Sequence, residues 1–213
     1  MKHKIIIELR AAINVSGNNF LPLCHGEKRI QQYVDGLSQF YKHIKHFENC
    51  DIIFVDNTLE NASKIPPEIK KCLSDDTIFH VKIKNNYGQY NKGAGIIDMW
   101  KDYSDIMSKY DYIFYFEPRL ILKNFSFIKS FLDNPRNYFT LCRDDQVRTG
   151  YFGASVKDLF EFYSQIDLNY MVNNFISLED IMFHFFKQKD TEFDNNTYCL
   201  WHDVAYGDKY VKY

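Results

Sequence analysis

Several things are scarce in this chain of 213 residues. No apolar run approaches the roughly 20 residues that a membrane-spanning helix needs, and a soluble protein is expected. The first ten residues carry only Ile5 to Ile7 as an apolar stretch before Glu8, too short for a secretory signal. The five cysteines, at 24, 50, 72, 142 and 199, form no CxxC pair, and an odd number argues against a complete disulfide framework. A reducing, cytoplasmic compartment is the simplest expectation. Seven histidines show neither HxxxH nor HxH spacing, which speaks against an all-protein metal cage. Excess charge is absent as well: a net charge of −2 provides no basic field, so nucleic acid is not an expected partner and any phosphate binding must be local. With no internal repeat, linker or composition break, one domain over 1–213 is expected.

What the chain does have is aromatic residues, 19 Phe and 16 Tyr, enough to furnish stacking surfaces as well as core. Peripheral membrane contact through them stays open. The most telling stretch runs from Tyr112 to Leu122. Five apolar or aromatic residues in a row suit a strand buried on both faces in the middle of a sheet. Glu117, Pro118 and Arg119 then interrupt the pairing and put an acid and a base at the carboxyl end of the strand, where open α/β sheets bind ligands.

Along the chain, strands are expected at Lys4 to Leu9, Asp51 to Val55, Thr77 to Ile83 and Tyr138 to Cys142. A helix whose apolar positions run from Ile30 to Ile44 keeps the i, i+3, i+4, i+7 rhythm. Further helices are expected at Ile96 to about Lys109, Phe125 to Leu132, Val156 to Gln165 and Ser177 to Lys187, with Gly150 to Ala154 a turn or strand. Strands alternating with helices indicate an α/β fold.

Three local motifs admit a structural and a chemical reading. Asp56, in Asp-Asn-Thr after the second strand, either caps the turn or accepts hydrogen bonds from a base or ribose. Gly93-Ala94-Gly95 fails the dinucleotide pattern, because the third glycine would fall on Asp98 and the segment follows the third strand. It reads as a turn, or with Lys92 as a place for an anion at a helix start. Glu179 and Asp180 follow Ser177 at the start of an amphipathic helix, where a cap box alone explains both acids and where a catalytic carboxylate would look the same.

In order, these landmarks resemble the GT-A glycosyltransferases of the family-2-like group, from Ile5 to about Lys187. Val55-Asp56-Asn57-Thr58 is similar to that family's strand ending in acids that contact the nucleotide. Asn86-Tyr87-Gly88 followed by Asn91-Lys92-Gly93 resembles its Asn-x-Gly and Arg-Asn-x-Gly segment. Gly150-Tyr151-Phe152-Gly153-Ala154 resembles the stretch lining the acceptor side, and Ser177-Leu178-Glu179-Asp180 the helix start that carries the base. His202 lies near a late histidine that helps hold metal or diphosphate in some members.

The resemblance implies a GT-A, Rossmann-like α/β fold with a mixed, mostly parallel sheet flanked by helices. It implies transfer from a nucleotide-sugar donor to a glycan or lipid-linked glycan acceptor, inverting, in bacterial surface polysaccharide synthesis, in the cytoplasm or at the inner face of the membrane. Asp180 or Glu179 would be the base, Asp180 the choice the resemblance favours. Asp56, Asn86, Lys92, Glu117, Arg119 and His202 would bind the donor, and Tyr151 and Phe152 would line the acceptor side. Where the family carries Asp-x-Asp for Mg²⁺ or Mn²⁺, this chain has Glu117-Pro118-Arg119. Arg119 cannot ligate a cation, but its guanidinium fork suits phosphate oxygens, so no metal or other cofactor is expected. The structural alternative for Arg119 is an ion pair with a nearby acid. Two further classes stay open: a non-catalytic nucleotide-binding protein on the same fold, and a sugar nucleotidyltransferase. The latter needs a glycine-rich basic loop after the first strand, where this chain has Ala11-Ala12-Ile13-Asn14-Val15.

Overall fold

A computed structural model describes residues 3–15, 26–44, 50–83, 87–202 and 210–212, with backbone only for 200–202 and 210–212. The described elements begin with β1 (Ile5–Ala11), α1 (Gly26–Ile44), β2 (Cys50–Asp56), a 3-10 turn at Ala62–Lys64, α2 (Pro67–Lys70) and β3 (Ile78–Val81). Then come α3 (Tyr87–Tyr90), α4 (Lys92–Asp102), α5 (Ser104–Met107), β4 (Tyr112–Phe116), β5 (Leu120–Leu122) and α6 (Ser126–Asp133). The remainder is β6 (Asn137–Arg143), β7 (Gln146–Val147), β8 (Tyr151–Ser155), α7 (Val156–Ser164), α8 (Leu168–Asn173), α9 (Leu178–Phe186), β9 (Thr191–Asp194), β10 (Cys199–His202) and β11 (Tyr210–Lys212).

The fold is α/β, with a mixed, mostly parallel central sheet. Its hydrogen-bonded order is β3-β2-β1-β4-β8-β6-β7, and β9 pairs with β6 off that path. The pairs β2–β3 and β6–β9 are parallel, whereas β8 and β7 run antiparallel to β6. β4 is fourth of the seven strands along the path, as its run of apolar residues requires, and 113–116 are fully enclosed. A second sheet, β11-β10-β5, is antiparallel.

The chain divides into two compact units. One comprises Met1–Ile6, Asn85–Tyr115 and Ile128–Asn196. Its core is a column of three rings, one each from β4, β8 and β6. Phe152 stacks on Tyr115 at 5.0 Å with 9° between the planes, and on Phe139 at 5.1 Å and 15°. Trp100 of α4 meets Tyr115 and Phe152 edge-on at 6.0 and 6.1 Å, and Phe186 of α9 lies 4.6 Å from Phe139. Two helices are thereby seated on the same column. The edge-on and offset geometries match the ring quadrupoles.

The other unit comprises Ile7–Lys84, Phe116–Phe127 and Thr197–Tyr213. Here the apolar stripe of α1 buries Tyr33, Leu37, Phe40 and Ile44, and Phe40 stacks on Phe116 at 5.2 Å. Gly36 lies on the same face. A Cβ there would stand 1.7 Å from the Pro118 carbonyl oxygen and 2.9 Å from that of Leu120, so only glycine lets α1 pass so close to this turn.

Some boundaries differ from the sequence expectation. The apolar stretch 112–122 is two strands: the Leu120 amide bonds to the Glu117 carbonyl at 2.9 Å, closing a turn with Pro118 in the position that suits its fixed φ. The helix expected from Ile96 starts at Lys92, so Gly93 to Gly95 is helix rather than turn. The reason is the Asn91 cap, whose side chain accepts from the Ala94 amide at 3.0 Å. The helix then breaks at Tyr103 and resumes as α5. No helix among the described residues is long and apolar enough to cross a membrane. Cys50, Cys72, Cys142 and Cys199 are free thiols.

Because Phe152 is the middle ring of the column, Phe152→Ala is expected to lower unfolding free energy by about 3–5 kcal/mol. A denaturant titration of the intact chain checks this, with an unchanged m-value confirming that two-state behaviour is preserved.

Candidate functional site

In the unit built on α1, charged side chains gather at the carboxyl ends of the strands. Asp56 closes β2 and is fully buried. Its Oδ1 accepts from the Thr58 amide at 2.6 Å, the Thr58 hydroxyl at 2.7 Å and the Leu59 amide at 3.0 Å, and its Oδ2 from the Ile13 amide at 2.8 Å. The Asn14 amide in turn bonds to Thr58 Oγ1 at 2.8 Å. One carboxylate therefore ties the loop after β1 to the loop after β2. Turn capping occupies Oδ1, and the amide of Ile13 in the other loop occupies Oδ2.

Glu117 and Arg119 flank Pro118 and are 5% and 8% exposed. The antiparallel register of β5 with β10 pairs Leu120, the residue after Arg119, with Trp201, the residue before His202. Arg29, in the first turns of α1, is a fourth charged group here that sequence reasoning missed. Its Nε donates to the Ala12 carbonyl at 2.6 Å, and the Ala12 amide donates to the Tyr33 hydroxyl at 2.8 Å. Burial holds its pKa below arginine's ordinary value. Arg119 pushes it the same way, while Tyr33 and Glu117 push it up. The available signal was an arginine four residues before Tyr33, on the apolar face of α1.

Whether a divalent cation would fit this turn is a matter of donors. Mg²⁺ and Mn²⁺ want several oxygen ligands, and this turn offers the Glu117 carboxylate with two guanidiniums acting beside it. Among the described residues no group of three or more His, Cys, Asp or Glu side chains could hold a metal ion. The described residues of this turn do not fit a metal centre.

In the other unit, a cavity of about 240 Å³ is lined by Asn91, Lys92, Gly93, Ile96 and Thr149, together with residues 175–179. Two helix starts meet here. A Cβ on Gly93 would stand 2.5 Å from Leu178 Cβ and 2.8 Å from Met171 Cε, so the amino end of α4 packs tightly on α8 and α9. Asn91 holds the junction: besides capping α4, its Nδ2 donates to the Ile176 carbonyl at 2.9 Å.

Glu179 lies half-buried in this cavity. Its Oε1 accepts from the Thr149 hydroxyl at 2.6 Å and its Oε2 from the Ser177 hydroxyl at 2.9 Å. Burial alone would raise its pKa. Hydrogen bonds from Thr149, its own backbone amide and Ser177, with the Lys92 charge, outweigh burial and hold it below the ordinary 4.5. Glu179 is thus a fixed, ionised carboxylate at neutral pH. Asp180, its neighbour, does not line the cavity; its Oδ1 accepts from Gln146 Nε2 at 2.6 Å. Ser177 caps α9 by accepting from the Asp180 amide, as the cap box predicts. Thr149 and Gln146 could not be found from sequence, since they are 30 or more positions away.

The remaining expected residues are placed as follows. Lys92 lines the cavity. Asn86 lies outside the described residues, and His202 is described by its backbone alone. Tyr151 and Phe152 are 1% and 0% exposed, and Phe152 is sandwiched between two rings. Neither presents a face to a ligand, which corrects their expected acceptor-side role: alternate positions of β8 are enclosed on both faces of the sheet.

No protein-family model matches the chain, and no curated protein does. Solved structures do. A protein from Desulfovibrio desulfuricans G20 assigned as a nucleotide-diphospho-sugar transferase superposes with a TM-score of 0.55 at 11% identity, over 90% of this chain and 79% of that one. A cytidylyltransferase from Leptospira borgpetersenii serovar Hardjo-bovis superposes at 0.49 and 16% identity, over 93% and 77%. The first of these shares the fold described above, a mostly parallel sheet flanked by helices.

Two outcomes follow. Asp56→Ala is expected to destabilise by roughly 2–4 kcal/mol, since it strands four donors, measurable by denaturant unfolding. The lowered pKa of Glu179 adds stability that is present above pH 4.5 and is lost as pH falls through its folded value. The stability of the wild-type chain should therefore drop more steeply below pH 4.5 than that of Glu179→Gln, in parallel unfolding curves across acid pH.

Proposed function

We propose that this protein is a glycosyltransferase that moves a sugar from a nucleoside-diphosphate-sugar to a glycan or lipid-linked glycan acceptor by single displacement, without a metal ion. The observation that carries the proposal is the cavity at the start of α9, where Glu179 is held ionised by Thr149 and Ser177 beside Lys92. The fold shared with an assigned nucleotide-diphospho-sugar transferase supports it.

Glu179 is the base in this reading. It takes the proton of an acceptor hydroxyl as that oxygen attacks the anomeric carbon, and the bond from that carbon to the donor's phosphate oxygen breaks, releasing the nucleoside diphosphate. Asp180 takes a positioning role through Gln146. Arg119 and Arg29 supply fixed positive charge for phosphate oxygens, which a metal supplies elsewhere. His202 and Asn86 join the donor side by resemblance, and Asp56 orders the loops there. Bacterial surface polysaccharide synthesis, with the enzyme at the inner membrane face, is the setting this activity suits.

A non-catalytic nucleotide-binding protein is the second reading. It is favoured by Glu117-Pro118-Arg119 standing where the resemblance expects a metal motif. A sugar nucleotidyltransferase would need a glycine-rich basic loop after β1, where this chain has Ala11-Ala12-Ile13-Asn14-Val15.

A melting-shift screen over nucleoside mono- and diphosphate sugars, with Mn²⁺ or with EDTA, separates the three. The proposal expects a shift with a diphosphate sugar and transfer that persists in EDTA; a strict Mn²⁺ requirement overturns metal independence, and binding without turnover favours the second reading. Glu179→Gln should lower kcat by about 10²–10⁴-fold while leaving the donor-induced shift intact, and Asp180→Asn should do less. Unchanged turnover in Glu179→Gln refutes the assignment of the base.

A further inference from the structure

Phe175 combines three properties. It has φ of +52°, the left-handed region, and is the only described residue other than glycine with positive φ. It is 85% exposed. It lines the cavity that holds Glu179.

The conformation has a clear local cause. α8 ends at Asn173 with Asn174 as its C-cap. The Phe175 amide bonds to the Val172 carbonyl at 3.3 Å and the Ile176 amide to the Met171 carbonyl at 3.0 Å. These are the two bonds of a Schellman ending, and Phe175 occupies its left-handed position, which glycine takes by default. A bulky side chain there is strained by its Cβ. Burial does not compensate, because the ring is in water. An exposed, strained aromatic at the mouth of a cavity points to a ligand.

The backbone that carries the ring is also fixed. Both Schellman bonds tie this corner to α8, and the bond from Asn91 Nδ2 to the Ile176 carbonyl at 2.9 Å ties it to the start of α4. The ring is therefore presented, not tethered loosely, and little ordering remains for binding to supply.

We propose that Phe175 is a stacking platform for a pyranose ring of the acceptor, and so a specificity-determining residue. The inference rests on the reading of this chain as a sugar transferase. A pyranose has one face of polarised C–H groups, which lies against the negative face of an aromatic ring. Its hydroxyls need acceptors and donors at the edge, and Glu179, Asn91 and Lys92 line the same cavity. A nucleotide fits less well: the several charges of its phosphates would meet a lining that holds one cation, Lys92, and one carboxylate, Glu179. An anionic membrane fits less well too, since residues 167–177 contain Asp167 and no Lys or Arg.

The test needs no donor. Saturation-transfer NMR on the intact protein, with methyl α- and β-glycosides of glucose, galactose and mannose, UDP and phosphatidylglycerol vesicles as separate probes, compares wild type with Phe175→Gly and Phe175→Trp. At least one glycoside should bind the wild type through its C–H face, bind Phe175→Gly about 10-fold more weakly and bind Phe175→Trp at near wild-type strength. Phe175→Gly should meanwhile melt about 2–4 °C higher, because glycine relieves the strain. That opposition of stability and binding is something a structural role would not produce. Glycoside binding that is absent from the wild type or unchanged in Phe175→Gly overturns the platform, as does a Phe175-dependent response to UDP or vesicles alone. Failure of sugar transfer itself shows in the donor screen, and it leaves Phe175-dependent glycoside binding readable on its own.

Discussion

The column of Tyr115, Phe152 and Phe139 is the contact on which the rest of its unit depends. Three neighbouring strands each contribute one ring, and the two helices that approach the column do so through Trp100 and Phe186. Flat rings stacked with centroids 5.0 and 5.1 Å apart tolerate little sliding, because interiors pack as densely as crystals and a shift leaves voids that water cannot fill. Seating α4 and α9 in this way settles where their amino ends fall. Those ends carry Lys92 and Glu179, so the chemistry of the cavity follows from packing about two helical turns away.

The other unit solves a different problem, that of keeping charge inside. Arg29, Asp56, Glu117 and Arg119 are each less than a tenth exposed. Buried ions are tolerated only when hydrogen bonds and opposite charges replace lost water, and such arrangements seldom add stability over a well-packed apolar core. Asp56 meets that condition with four donors, which lie in two different loops. Gly36 shows how closely the helix must approach the Glu117 turn for Arg29 to act there.

The cavity shows how structural and chemical roles coexist in one motif. Ser177 is an ordinary helix cap, yet the same hydroxyl donates to Glu179 and helps keep it ionised. Asn91 caps α4 and also pins the corner that bears Phe175. Caps are needed for any helix; what turns them into a site is that two helix starts meet with a carboxylate and an ammonium between them. Phe175 is the exception to local economy, a strained residue kept where glycine would be easier.

Much of the fold was legible in the sequence because its signals are local. The apolar rhythm of α1, the buried runs of β2 and β4, the cap of α9 and the break at Pro118 each follow from neighbours within a few residues. The acid and base at the end of β4 were visible for the same reason. Tertiary structure alone decided that Asp56 joins the loop after β1 to the turn after β2, that Tyr151 and Phe152 are core, and that Glu179 rather than Asp180 lines the cavity. It alone decided the pairing of β5 with β10, the short α8 and β9, and the parts played by Arg29, Thr149 and Phe175. Periodicity reports which face of an element is apolar, but not what lies against it. A hydrogen bond across 30 residues, or a left-handed phenylalanine, exists only once the chain has closed on itself.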